Sequence, residues 1–191
     1  MLQLDAFAAD IGRMSRRAHT TLAALACLVV CAVAVAPAPA ATSRAHVRLG
    51  GLEAGLLDKL NSIRANHGLR PLRLNGELTE AATEHSVEMG SDGYFQHDSF
   101  DGTPFWKRIG HFYSASGHGY WSVGENLLWS SATLDPNAAF AEWMNSPPHR
   151  ENILQPRWRE VGVAVARFAS AGGVYDGRSV MIVTTDFGVR R

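Results

Sequence analysis

Residues 124–154 read GENLLWSSATLDPNAAFAEWMNSPPHRENIL. The stretch changes period in the middle, and that change decides the fold. Residues 123–129 can make a strand that carries Glu125 near its start. Asp135-Pro136 then opens a helix, aspartate as N-cap and proline in the first turn. Ala139, Phe140 and Trp143 form its apolar stripe, and Pro147-Pro148 are expected to end it, because neither can donate a backbone N–H. His149 is therefore expected to begin a constrained loop. A carboxylate (Glu125), an amide (Asn126), a hydroxyl (Ser146) and an imidazole (His149) lie within thirty residues, close enough to fold back onto one site. About thirty residues upstream, Phe95-Gln96-His97-Asp98-Ser99 adds a second histidine.

Downstream, residues 160–168 alternate Val161, Val163 and Val165 with Gly162, Ala164 and Ala166. Both faces are apolar, as expected of a central strand. Residues 179–188 supply its hairpin partner across a glycine-containing loop. Upstream, Leu56, Leu60 and Ile63 recur at helical spacing over residues 52–66, with Asp58, Lys59 and Arg64 expected to face water. A second helix is expected over 76–90, capped by Asn75, with His85 on its apolar stripe as a core histidine. His67 reads as a helix-end residue. Residues 98–123 are rich in glycine and aromatics. They contain one short expected helix over 104–109, and Phe105, Trp106, Phe112, Tyr113, Tyr120 and Trp121 either line a groove or pin the loop. Helices first, then a strand–helix segment, then a hairpin predict an α+β sandwich, a central antiparallel sheet covered by helices.

Eighteen basic and eighteen acidic side chains in 191 residues leave no nucleic-acid footprint. Arginine outnumbers lysine 16 to 2, read as the codon bias of a bacterial source. Arg16-Arg17, an apolar run over 22–35 and Ala38-Pro39-Ala40 have the layout of a cleaved secretory leader over residues 1–40, with Met14 an alternative start. The run is short of the ~20 residues of a membrane span, so no stable span is expected after cleavage. Residues 41–51 read as a linker and 52–191 as one domain. Both cysteines, Cys27 and Cys31, fall in the leader, so the exported domain folds without disulfides.

Two histidines and a carboxylate can hold Zn²⁺ with one position open for water. The spacing is not a metal motif in itself, because it contains neither His-Glu-x-x-His nor a cysteine pair. His111 and His118 have no ligand spacing around them. Ser146 lacks a Gly-x-Ser-x-Gly elbow and reads as a helix-end hydrogen-bonder. Glu125 is the one candidate general base, or else a buried acceptor that locks a polar network.

Taken in order, Leu60-Asn61-Ser62-Ile63-Arg64, Phe95-Gln96-His97, Gly124-Glu125-Asn126, Trp143-Met144-Asn145-Ser146-Pro147, His149-Arg150-Glu151-Asn152-Ile153-Leu154 and Val161-Gly162-Val163 resemble the CAP superfamily of cysteine-rich secretory, antigen 5 and pathogenesis-related proteins, and its bacterial secreted branch above all. The resemblance covers residues 52–188. It implies a three-layer α–β–α sandwich around a central cavity with two histidines and two glutamates. His97, Glu125 and His149 match three of the four. Ser146 stands where the second glutamate is expected, and Glu142 has the wrong helical phase to replace it.

Three functions follow as expectations. One is a secreted or envelope binding module, its cavity of His97, Glu125, Asn126, Ser146 and His149 contacting a lipid, an envelope glycan, a metal or a protein, with no cofactor required. Another is a peptidase-like hydrolase with a zinc ion on His97 and His149 and Glu125 activating water. In the third, the polar cluster is structural and the loops make protein contacts.

Overall fold

The computed structural model describes residues 2–10 as backbone, and residues 49–131 and 133–191 in full. The apolar run, both cysteines and most of the expected leader and linker lie outside the described residues. The strands are β1 (Leu2–Asp10), β2 (Arg73–Leu74), β3 (Trp121–Ser130), β4 (Glu160–Phe168) and β5 (Val180–Arg190). The helices are α1 (Gly51–Asn66), α2 (Gly76–Asp92), α3 (Phe105–Phe112), α4 (Pro136–Asn145) and α5 (Pro147–Ile153). The sheet order is β1-β3-β5-β4-β2, antiparallel except for the short β2–β4 pair. Residues 2–10 fall within the stretch read as a leader; here their backbone pairs along the edge of β3. An edge strand offers a row of unpaired N–H and C=O groups to such a segment.

Strand alternation builds the three-layer α–β–α sandwich. On one face Leu128, Val161, Val163, Val183 and Phe187 meet Leu56 and Leu60 of α1, Phe140 and Trp143 of α4 and Ile153 of α5. On the other, Val123 packs with Leu78 and Ala81 of α2 and Phe105 and Ile109 of α3, while Leu127, Trp129 and Ile182 pack with Met89. Asn75 caps α2 by accepting from the Leu78 N–H, and Asp135 caps α4 by accepting from Asn137 and Ala138.

Two expectations need correction. Pro147-Pro148 end α4 but also start α5, so His149 sits on a helix and not in a loop. Proline is tolerated in a first turn, where its missing N–H would have no partner within the helix. Arg64, expected to face water, is fully buried. Its guanidinium donates to the carbonyls of Arg70, Ile153 and Gln155 at 3.0, 2.7 and 3.1 Å. One cation thus ties α1 to two connecting segments.

Candidate functional site

Two glycines fix the loop that carries His97. Gly93, left-handed at φ 73°, ends α2 against the backbone of Gly172 and Gly173. A Cβ on Gly173, itself at φ 57°, would overlap the Gly93 carbonyl. Val174 N–H donates to Gly93 O at 2.9 Å, and the Tyr175 hydroxyl donates to Tyr94 O at 2.7 Å. Tyr94 in turn donates to Glu88 of α2 at 2.5 Å. Buried His85 holds the residue before His97, its Nε2 lying 3.0 Å from Gln96 O. Burial lowers the pKa of this ring, which favours the neutral form with the proton on Nε2. Asp98 accepts from Phe105 N–H at 3.0 Å and so fixes the start of α3.

This frame places His97 and Arg108 on Glu125. His97 Nδ1 is 2.7 Å from Glu125 Oε1, and the Arg108 guanidinium donates to Oε2. Arg108 also donates to His97 O at 2.8 Å. Glu125 has no exposed surface. Burial would raise its pKa, but the Arg108 cation and the His97 hydrogen bond outweigh that and pull it down to about 2.

Asp186 stands directly across the sheet from Glu125, paired in register on β5. It too is fully buried, and neither of its oxygens finds a hydrogen-bond donor. Two ionised carboxylates are acceptors only and cannot bond each other. Burial and the Glu125 charge raise the Asp186 pKa well above the ordinary range, and the proton it keeps makes it a donor toward Glu125. Arg108, Glu125 and Asp186 are thus one guanidinium, one carboxylate and one neutral acid, balanced in charge.

The remaining site residues lie on the other face of the sheet. Gly124 and Asn126 alternate with Glu125 and point toward α5. A Cβ on Gly124 would strike the Asn152 amide and the Trp158 ring. Asn126 donates to His149 O at 3.2 Å and accepts from Asn152 at 3.0 Å. Asn152 also receives the Trp158 indole N–H at 3.1 Å. His149 Nδ1 is 2.6 Å from Ser146 Oγ. Among the described contacts, His97 meets Glu125 and His149 meets Ser146; the sequence expectation grouped all four. No three His, Cys, Asp or Glu side chains converge to hold a metal among the described residues. Arg108 already donates to one oxygen of Glu125, so that oxygen is not open to a metal ion. The Ser146–His149 pair resembles a nucleophile and base, but Ser146 ends one helix and begins the next, so the contact is a local i, i+3 one.

Sequence reasoning missed Arg108 and Asp186. Each carried a signal: a cation next to Ile109 and one turn from Phe105, and an acid in the apolar alternation of a strand.

Two open cavities lie beside this cluster, and Arg108 lines the smaller of them. The outer side of α3 and the loop before β3 enclose an open cavity of about 590 Å³. Its walls include Trp106, Tyr120 and Trp121, and its rim Lys107, His111 and His118. A smaller cavity of about 350 Å³ lies across Lys107, lined by Glu84, Glu88 and Asp101.

Comparison with known proteins agrees with this architecture. The sequence profile of the CAP (cysteine-rich secretory protein) family matches residues 57–183. The uncharacterized protein YkwD of Bacillus subtilis is 31% identical over 130 residues, 68% of this chain and 48% of its own length. The uncharacterized membrane protein YlbC of the same organism is 32% identical over 118 residues, 60% of this chain and 32% of its own length. The chain thus spans half or less of these relatives. An extracellular protein with an SCP domain from Bacillus anthracis superposes with a TM-score of 0.55 at 29% identity, over 74% of this chain and 41% of that one. A cysteine-rich secretory protein of Staphylococcus aureus, at 20% identity and TM-score 0.50 over 72% and 38%, shares the fold. None of the helices among the described residues is long and apolar enough to cross a membrane. With two thirds of its length under the family profile and the sandwich to match, the chain belongs to the CAP, or cysteine-rich secretory protein, family.

Proposed function

We propose that this protein is a secreted or envelope-associated binding module whose polar cluster is structural and whose recognition surface is the aromatic-walled cavity beside α3. The observation that carries the proposal is the state of Glu125. It has no exposed surface, and both its oxygens are already engaged by His97 and Arg108. A general base must reach a proton on substrate or water. The cavity has the size of a small-molecule site, apolar walls and a few polar groups at the rim. Lipids, envelope glycans and protein segments are the ligand classes to screen.

The test is the melting temperature of the full chain with envelope lipid and polymer extracts, beside Trp106→Ala. A shift in the wild type that the variant loses is expected. No shift with any extract, or equal shifts in both proteins, would overturn the reading. For the hydrolase alternative, the decisive comparison is peptide hydrolysis and Zn²⁺ calorimetry on the wild type and a His97→Ala, His149→Ala variant. No difference attributable to the histidines is expected. Activity or one-equivalent zinc binding lost in the variant would restore a metal-assisted site.

A further inference from the structure

Among the residues that line the cavity beside α3, Lys107 carries a positive charge and none carries a carboxylate or a side-chain amide. We infer that the cavity takes a flat aromatic monoanion, the ring held between Trp106, Tyr120 and Trp121 and the anionic group met by Lys107; this rests on the binding reading above.

No Asp, Glu, Asn or Gln is among the lining residues. Ser114 and Ser116 leave hydroxyl partners in the wall, but no carboxylate is there to repel an anion. Three indole or phenol rings supply apolar faces, while Gly110, Ala115 and Gly119 leave the rest of the wall thin. Aromatic faces attract a flat apolar partner by stacking and by burial of area. The Trp121 ring is fixed from behind, because its Nε1 donates to Tyr113 O at 2.8 Å and the ring is nearly buried. That wall is preformed, which lowers the cost of binding.

Charge then selects the head group. Lys107 is exposed, and its ammonium lies 5.4 Å from the centre of the Trp106 ring. It makes no ion pair with an acid among the described residues. His111 and His118 flank it at the same rim and add imidazole donors. Glu84, Glu88 and Asp101 lie on the far side of Lys107, in the neighbouring cavity. They repel an anion there and leave the aromatic cavity as the side on which Lys107 can meet one. A cationic ligand would face Lys107 directly and bind worst.

The experiment titrates three matched probes into the full chain by calorimetry: 2-naphthoate, 2-naphthylmethanol and 2-naphthylmethylammonium, with decanoate as a chain-shaped carboxylate. The expected order is naphthoate tightest, the alcohol about tenfold weaker, and the ammonium weakest. Lys107→Met should close the gap between naphthoate and alcohol, and Trp106→Ala should weaken both. Equal affinity for acid and alcohol, tighter binding of the ammonium, or a gap that survives Lys107→Met would overturn the anionic assignment. Tighter binding of decanoate than naphthoate would overturn the aromatic one. In each of these cases Trp106-dependent binding leaves the broader binding reading standing. If no probe binds and the extracts shift wild type and Trp106→Ala alike, both fall.

Discussion

Two regions on the same side of the sheet, both built on α3, treat their polar groups in opposite ways. Around Glu125 every strong group is turned inward: His97 and Arg108 cover both oxygens, and Asp186 closes the cross-strand side. Along the outer face of the same helix, Trp106, Lys107 and His111 face an open space. Arg108 and Lys107 are neighbours in sequence, yet one is a buried counter-ion and the other an exposed cation with no ion pair among the described residues. Helical phase alone separates them. A site that has satisfied its own charges gains rigidity and loses reactivity, and the neighbour built on that rigid base is the one free to bind.

The largest effect should come from removing the buried cation. Arg108→Met leaves Glu125 and Asp186 facing each other with no positive charge between them. Breaking a buried ion pair on one side costs about 3–5 kcal/mol, and urea unfolding should show a loss of that size. Glu125→Gln should cost less, because Asp186 can then ionise and take over as partner to Arg108. If Arg108→Met unfolds at wild-type denaturant, the cluster is not the structural lock described above.

Asp186→Asn probes the buried cluster through pH. A raised folded pKa means that the folded state holds the Asp186 proton more tightly than the unfolded chain, whose value is near 3.9. Its contribution is complete below about pH 4 and is lost as pH rises toward the folded value. Glu125 works in the opposite direction: its stabilisation is present above about pH 4.3 and lost as pH falls toward about 2. The amide introduced by Asp186→Asn would offer Glu125 a permanent donor and would not titrate. The variant should therefore gain on the wild type as pH rises above about 4, by about 1.4 kcal/mol for each unit that the folded value lies above the unfolded one. Parallel stability curves for the two proteins would show that Asp186 ionises normally.

Most of the layer order is legible in the sequence, because strands and helices here keep clean periods. Asn75 and Asp135 are caps where the sequence places them, and Val161, Val163 and Val183 share a face as alternation requires. The site is legible only in parts. Glu125 and Asn126 are adjacent in the chain and so read as one group, but adjacency in a strand means opposite faces. Arg108 and Asp186 lie 17 and 61 residues from Glu125, and register across β3 and β5 brings the acid home. That is tertiary information, which local spacing does not contain. Pro147-Pro148 show the same limit on a small scale, as a stop signal for one helix that is equally a start signal for the next.

The smallest stability effect belongs to the open region, and its smallness is the point. Lys107→Met removes an exposed side chain with no ion pair among the described residues, so unfolding free energy should stay within about 0.5 kcal/mol of wild type. The cation–π contact with Trp106 is its one described attachment, and exposed contacts of that kind are worth about 0.5–1 kcal/mol at most. Methionine keeps some of it through sulfur packing against the ring. A stability loss of several kcal/mol would mean that Lys107 belongs to the lock and not to the open face. Changed ligand affinity at unchanged stability would separate the two regions as cleanly as one residue can, since Arg108 next to it should do the reverse.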